Sequence, residues 1–477
     1  MGHKCKELSC CPETPEVIGP KRSVRGPTGP AGPPGVTGPC CTGPTGATGS
    51  DEPEPQVITQ ADWFVNAETG NDANDGATPA TALQSFAELT RRFGIYNILQ
   101  PDGGVVSINV GSDMPFDDPF TLLAILGQDV IVRLVGTVTA DASGVMAVVP
   151  KNPAINQPYV VTDPAAPWGQ LSRIALDSIP GAFAWGALDL GAGSLRTSDF
   201  NIPDGPFTVT PVTPGLVEPY TIQRLSQISL GAISLFGTTS TGSGFVFFVQ
   251  DFEFYPGAFV LPPSSVRVVF IGCRFNQFSS FISPVIYFLN CAFNATNPPG
   301  IFFYGGDAEF HGGITLQMIE QRSGVVTLEA DFMFQAIDGG DAHVEAEGGA
   351  QLNIGQAAGF DSATHGLHIH ANNLVELIAS IYGPPRLWGI AGPGAYGVDV
   401  DSGAIFRIAP GITPTLAGGL GDFELADVPL GRAWSDTLSA YTPLFPTTWI
   451  NFNTVFAPDG VRNAHNVALR ASIIDAP

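Results

Sequence analysis

Apolar and polar positions alternate in short runs through much of the chain, and two of these runs are near copies. FIGCRFN starts at Phe270 and FLNCAFN at Phe288. The pattern extends upstream to Phe252-x-Phe254 and downstream to Ala308-x-Phe310. The steps from Phe254 to Phe275, from Phe275 to Phe293 and from Phe293 to Phe310 are similar in length, and each suits one turn of a β-solenoid. Equivalent side chains in such turns stack at ~4.8 Å, the spacing between paired strands. The spacing therefore predicts one ladder of Phe254, Phe275, Phe293 and Phe310 and a second that pairs Cys273 with Cys291 as buried thiols.

A second set of runs follows: VEAEGGAQLNI from Val344, LHIHANNLVEL from Leu367 and VDVDSGAIFRI from Val398. Each reads as two alternating strands around a small-residue turn. The offsets from Val344 to Leu367 and from Leu367 to Val398 predict one coil each, the second and longer one with an outward loop. Val344/Ala346, Leu367/Ile369 and Val398/Val400 are the inward pairs. Glu345/Glu347, His368/His370 and Asp399/Asp401 are the outward ones. The outward columns Glu345–His368–Asp399 and Glu347–His370–Asp401 put an imidazole between two carboxylates. That is a ligand set for a divalent cation, calcium or a transition metal, or a general acid/base pair, or a row of stabilising cross-strand charges.

At the start of this region stands DWFVNAETGNDANDGATPATALQSFAEL, from Asp62. It reads as a short strand, a Gly/Asn/Asp loop and, after Pro79, an amphipathic helix with Leu83, Phe86 and Leu89 inward. The oxygens of Asn71, Asp72, Asn74 and Asp75 are spaced superficially as in a calcium loop, but a turn is the simpler role. The motif closely resembles the entry motif of right-handed parallel β-helix proteins of the pectate-lyase-like group. The resemblance implies a helix that caps the open end of the coil stack. The alternative architecture is a β-sandwich or jelly roll.

Before it, glycine recurs at every third position: Gly26, Gly29, Gly32, Gly35 and Gly38, then, after a break at Cys40-Cys41, Gly43, Gly46 and Gly49. Only glycine fits the axis of a collagen triple helix, and the prolines from Pro27 to Pro44 pre-set φ for it. The stretch resembles collagen-like proteins of bacteria and viruses, notably spore-surface filaments and phage fibres. GPCC resembles the cystine knot that ties collagen chains, which implies interchain disulfides at Cys40 and Cys41. So few triplets make a weak triple helix, so the expected homotrimer also needs the head to trimerise.

These readings divide the chain into an N-terminal arm (1–25), a collagen-like stalk (26–50), an acidic Pro-rich hinge (51–60), an all-β, right-handed parallel β-helix head (61–410) and a C-terminal cap or trimerisation segment (411–477). Cys5, Cys10 and Cys11 in the arm read as cross-links to an anchor protein.

Composition narrows the partners. The 477 residues carry a formal net charge of −24, and a single lysine, Lys151, follows Gly49. Nucleic acid is excluded as a partner, because phosphate binding needs clustered Lys and Arg. No apolar run is long enough to span a bilayer. The expectation is a trimeric structural fibre on the outer surface of a virion, phage or spore, whose head binds a glycan or cell-surface receptor. The enzymatic alternative is a polysaccharide lyase or glycoside hydrolase, although no motif singles out a catalytic residue. With so little lysine, a lyase would have to draw its base from Arg274, Arg386 or Arg407.

Overall fold

The computed structural model describes residues 61–95 and, with short breaks, 105–359; beyond that it describes strands alone, as far as Asp475. For 257–260, 279–282 and 342–346, among others, and for Ile354 and the strands after it, the description covers the backbone only. The chain divides into two units, Met1–Glu52 and Pro53–Pro477, and all described residues lie in the second. The cysteines and glycines of the arm and stalk lie outside the described residues.

The described residues are almost entirely β, and most strands pair in parallel. One column of pairing runs from Asp62–Val65 through Val105–Val110 and Ile131–Val135 to Val246–Gln250 and Arg267–Ile271. It continues coil by coil to Ile405–Ile408 and Ser472–Asp475. A second column contains Phe252–Tyr255 and Arg274–Asn276, and a third contains Ser279–Ile282 and Ala342–Ala346. Three parallel columns visited in turn make a parallel β-helix. A sandwich or jelly roll, built from antiparallel pairs, is excluded for this part. Parallel pairing also passes residue 410, since Tyr396–Val400 pairs with Gly421–Leu425.

Sequence period dictates the core. Phe254, Phe275 and Phe293 stack at 4.9 and 4.8 Å between centroids, within 15° of parallel. The expected fourth member needs correction. Phe310 belongs to a different ladder, Phe270–Phe288–Phe310, with centroids 5.4 and 4.7 Å apart. The reason is coil length. The turn after Phe288 is longer than the one before it, so Phe288 pairs with Phe310, while Phe293 pairs with Thr315. Cys273 and Cys291 are buried free thiols in the same wall. Burial pushes the Cys291 thiol well up, and the neighbouring Cys273 adds to the effect.

The entry motif differs from expectation in where its helix begins: Leu83 is bridged to Val65 ahead of it, Pro79–Thr81 forms only a short 3-10 turn, and the helix starts at Phe86. Leu83, Phe86, Leu89 and Phe93 are buried at the end of the stack. The helix Phe86–Ile95 opens with its first amides donating to the Asp118 carboxylate, Phe86 at 2.6 Å and Ala87 at 2.9 Å. A carboxylate there satisfies orphan N–H groups and faces the positive end of the helix. The Asn/Asp loop is a set of turns closed by its own side chains: the Asn71 and Asp75 carboxamide and carboxylate accept from Ala73 and Ala77 amides. Arg92 reaches across it and donates to the carbonyls of Asp72 and Asn74, at 3.0 and 2.5 Å. The Asp72 carboxylate, one of the oxygens a calcium reading would use, instead accepts from the Gln84 and Ser85 amides and the Ser85 hydroxyl.

The span from 138 to 225 departs from the expected uninterrupted solenoid. Strands Val138–Val149, Tyr159–Thr162, Ser172–Leu176, Phe183–Ala187, Ser194–Thr197, Phe200–Pro203 and Val209–Val212 pair antiparallel with one another and with the long strand Val217–Ser229. This insert has its own core, in which Met146, Val161, Ile174, Leu195 and Tyr220 are buried. It leaves the solenoid after Thr137 and returns at Ser226. The neck is clamped by Thr137 N–H donating to Ser226 Oγ and Ser226 N–H donating to the Thr137 carbonyl, at 3.0 and 3.1 Å.

The insert then lies along the corner from which it emerged. In successive coils that corner holds a left-handed residue: Asp251 (φ 63°), Gly272 (58°), Asn290 (46°) and Gly312 (67°). Left-handed backbone is reached cheaply by Gly, Asn and Asp, so the sequence supplies those three types. A Cβ on Gly272 would come within 2.8 Å of the Phe183 ring, so glycine is also needed for the insert's close approach. On one side of the corner Trp185 and Leu171 pack on Ala292, Ile314 and Met333. On the other Val209 packs on Phe248, Val269, Ile271 and Leu289.

Candidate functional site

A cleft of about 240 Å³ opens where the insert meets the second column of the solenoid. Asp141, Arg173, Trp185 and Gln223 contribute from the insert, and Glu253 and Arg274 from successive coils. A second hollow of about 180 Å³ adjoins it and shares Arg224 and Leu225; Glu68 and Asp113 line its far side.

Each element places its side chain for a local reason. Glu253 alternates with the buried Phe252 and Phe254, so the ladder that fills the core turns the carboxylate outward. Register then sets Gln227, Glu253 and Arg274 side by side on three coils. Gln227 Nε2 donates to one Glu253 oxygen at 3.1 Å, and Asn276 Nδ2 donates to the other at 2.7 Å. Arg274 lies 3.6 Å from the same carboxylate. Tyr255 Oη donates to Gln227 Oε1 at 2.6 Å and meets Phe116 edge-on at 6.2 Å. This aromatic pair is open to solvent, with Phe116 64% exposed.

At the back of the cleft Arg173 is buried. Its guanidinium donates to Asp251 Oδ1 at 2.6 Å and to the Gly272 carbonyl at 3.1 Å, and it lies 3.8 Å above the Phe183 ring. Trp185 Nε1 donates to the Asn290 carbonyl at 2.8 Å, which fixes its indole against the corner. Two buried polar atoms of cleft residues make no hydrogen bond within the protein: Arg173 Nε, a donor, and Gln223 Oε1, an acceptor. The site therefore presents carboxylates, guanidinia and an amide around one solvent-open hollow, with the Trp185 indole buried behind them.

Of these residues, sequence reasoning picks out Arg274 alone, as one of the few bases of the head. One further signal was legible: VFFVQ from Val246 and RVVFI from Arg267 are nearly continuous apolar runs, and a strand buried on both faces reads that way. Something must cover their outer face, and the insert does.

The outward column expected from the sequence falls on the third column of pairing. The backbone register aligns Glu345 with His368 and His368 with Asp399. Glu320 precedes them in the same row, and Glu424 follows. Glu347, His370 and Asp401 lie outside the described residues, as do Cys5, Cys10, Cys11, Cys40 and Cys41. Among the described side chains no group of three or more His, Cys, Asp and Glu converges as metal ligands. No helix among the described residues is long and apolar enough to cross a membrane.

No protein-family model matches the chain. No curated protein matches it either. Among solved structures it is similar to a GH136 lacto-N-biosidase from Eubacterium ramulus, at 10% identity and a TM-score of 0.29 over 74% of this chain. The match spans 64% of that enzyme's length. It is also similar to the Gp54 tailspike of Acinetobacter baumannii bacteriophage AP22, a structure in complex with A. baumannii capsular saccharide. There the identity is 10% and the TM-score 0.19, over 72% of this chain and 77% of that one.

Proposed function

We propose that the chain is a trimeric surface-fibre protein whose β-helical head binds a glycan in the cleft between insert and solenoid. The observation that carries the glycan reading is the cleft itself. It gathers hydrogen-bonding groups of both signs, and an exposed Phe116–Tyr255 pair connects to it through Gln227. Sugar rings combine apolar C–H faces with hydroxyls that donate and accept; the cleft offers partners for the hydroxyls and the adjoining aromatic pair a surface for the faces.

The trimeric fibre rests on the glycine triplets from Gly26 to Gly49, which need three chains at one axis. In this reading Cys40 and Cys41 tie the chains together, and Cys5, Cys10 and Cys11 fasten them to an anchor protein on the surface of a virion, phage or spore. The row Glu345–His368–Asp399, with Glu347, His370 and Asp401, is a candidate divalent-cation site on the same head. A chelator-sensitive trimer that becomes insensitive in His368→Ala would support it, and an indifferent trimer would remove it.

The test of the main proposal is saccharide binding by the full-length chain on a glycan array, repeated with Asp141→Ala and Phe116→Ala. Binding that drops at least ten-fold in both variants is the expected result. A wild-type chain that retains no saccharide would sink the glycan reading. Equal mass on reducing and non-reducing gels would sink the disulfide-tied trimer.

A further inference from the structure

The charges in this cleft decide between classes of glycan. Three guanidinia line it or its neighbouring hollow, and each already faces a carboxylate. Arg173 is paired with Asp251 at 2.6 Å, Arg274 lies 3.6 Å from Glu253, and Arg224 is paired with Asp113. Asp141 adds a further negative charge to the lining. The chain as a whole carries −24. A polyanionic saccharide would thus meet an acidic molecule and guanidinia whose charge is matched within the protein.

The two unsatisfied buried atoms point the same way. Arg173 is only 6% exposed, and its Nε–H has no acceptor in the protein; the Oε1 of Gln223, on the strand paired beside it, has no donor. A buried donor and a buried acceptor left unmade are costly, and a ligand that satisfies both gains correspondingly. Arg173 and Gln223 are direct register partners, so a hydroxyl placed between their side chains would accept from Arg173 and donate to Gln223. A carboxylate or sulfate can only accept. It would leave Gln223 unsatisfied and would lie beside the carboxylates of Asp141 and Glu253.

Resting on the proposal that the cleft binds glycan, we infer that its ligand is an uncharged, hydroxyl-rich saccharide, and that Arg173 and Gln223 read one hydroxyl of it as a donor–acceptor pair. Selectivity in this scheme comes from the acceptor. Sites that hydrogen-bond a hydroxyl reject analogues lacking it, because the protein group is then left buried and unpaired.

The experiment uses the full-length chain. Uncharged oligosaccharides and uronic-acid or sulfated oligosaccharides of matched length are compared on an array, and the retained ones are titrated by calorimetry at low and high salt. The expected result is binding of uncharged chains, at least ten-fold tighter than acidic ones and insensitive to salt. Gln223→Met keeps the side-chain volume but removes the acceptor, and should weaken that binding ten-fold or more. Near-ultraviolet circular dichroism of the tryptophans confirms that the variant is folded. Tighter, salt-sensitive binding of acidic chains would overturn the inference and leave the glycan reading standing. Binding of uncharged chains unchanged by Gln223→Met would overturn the donor–acceptor assignment. Retention of neither class would overturn the glycan reading itself.

Discussion

In the solenoid, Phe254, Phe275 and Phe293 repeat one environment at 4.9 and 4.8 Å, coil after coil. In the insert, the same kind of volume is filled once. Tyr159 meets Phe200 edge-on at 5.8 Å, and Trp168 meets Tyr220 edge-on at 5.7 Å, with no repeat. The solenoid wall is filled mainly by stacked rings, whereas the insert is tied internally and to its neighbour by specific polar contacts. Repetition makes solenoid stability a sum of nearest-neighbour terms. The insert should behave instead as one cooperative unit that can loosen while the coils beneath it persist. The candidate cleft lies on the seam, so a ligand there feels both.

The sharpest break is inside the ladder. Phe288 is fully buried between Phe270 at 5.4 Å and Phe310 at 4.7 Å. Phe288→Ala should lower stability by about 3–5 kcal/mol, as large-to-small changes in close-packed cores do. The loss should appear in amide exchange of the strands Arg267–Ile271 and Ile301–Thr315 on either side. Phe200→Ala in the insert core should raise exchange in the insert alone. Exchange that rises equally in both regions for both variants would erase the distinction.

The next break is at the seam. Arg173 and Asp251 form a buried ion pair, with side chains 6% and 11% exposed. Removing one partner leaves a buried charge uncompensated, which costs about 3–5 kcal/mol, whereas removing both is far milder. Arg173→Met should therefore release the insert from the corner. Arg173→Met combined with Asp251→Asn should recover most of the loss, since Asn tolerates the left-handed backbone at 251. Proteolysis within 138–225, with the solenoid resistant, is the readout. A double variant as fragile as the single one would show that the pair acts through packing over Phe183 and not through charge.

Legibility in the sequence follows the same divide. The repeat of FIGCRFN as FLNCAFN exposes the coils because each coil must present the same face to the next, as Phe270 and Phe288 do. The entry helix is legible because its apolar spacing and the preceding Pro79 are local signals. Phe310 is misplaced by sequence reasoning because coil length varies. The shorter step from Phe293 looks as good a turn as the true, longer one from Phe288. The insert is not legible. Its partners are non-local, as in Val217 with Ala147, and nothing in either strand alone names the other. The cleft is invisible for the same reason: Arg173 and Asp251 are 78 residues apart, and only the fold joins them. The outward row Glu345–His368–Asp399 is legible at the level of register, because strand alternation and coil offset suffice to align backbones.

The smallest effect sharpens the contrast from within the insert. Tyr220 is buried, donates its hydroxyl to Asp163 Oδ2 at 2.8 Å and accepts from Trp168 Nε1 at 3.1 Å. Tyr220→Phe removes both bonds and should cost about 1–2 kcal/mol, since two polar partners remain. Burial first, and then the Asp163 hydrogen bond, push the Tyr220 phenol above its usual range. In the unfolded chain the phenol ionises near about pH 10. Below that pH both states hold the proton and the full contribution is present. As pH rises past it, the unfolded state releases its proton while the folded state keeps it. Stability then falls by about 1.4 kcal/mol per pH unit until the folded phenol ionises too. Tyr287, on the solenoid, is also raised by burial, but it is common to both proteins and cancels in their difference. The gap between wild type and Tyr220→Phe, measured by denaturant unfolding of the insert, should be constant up to about pH 10 and shrink above it. Curves that stay parallel through that window would mean that the phenol is not held neutral by the fold. The insert core would then be as indifferent to protons as the aromatic ladders.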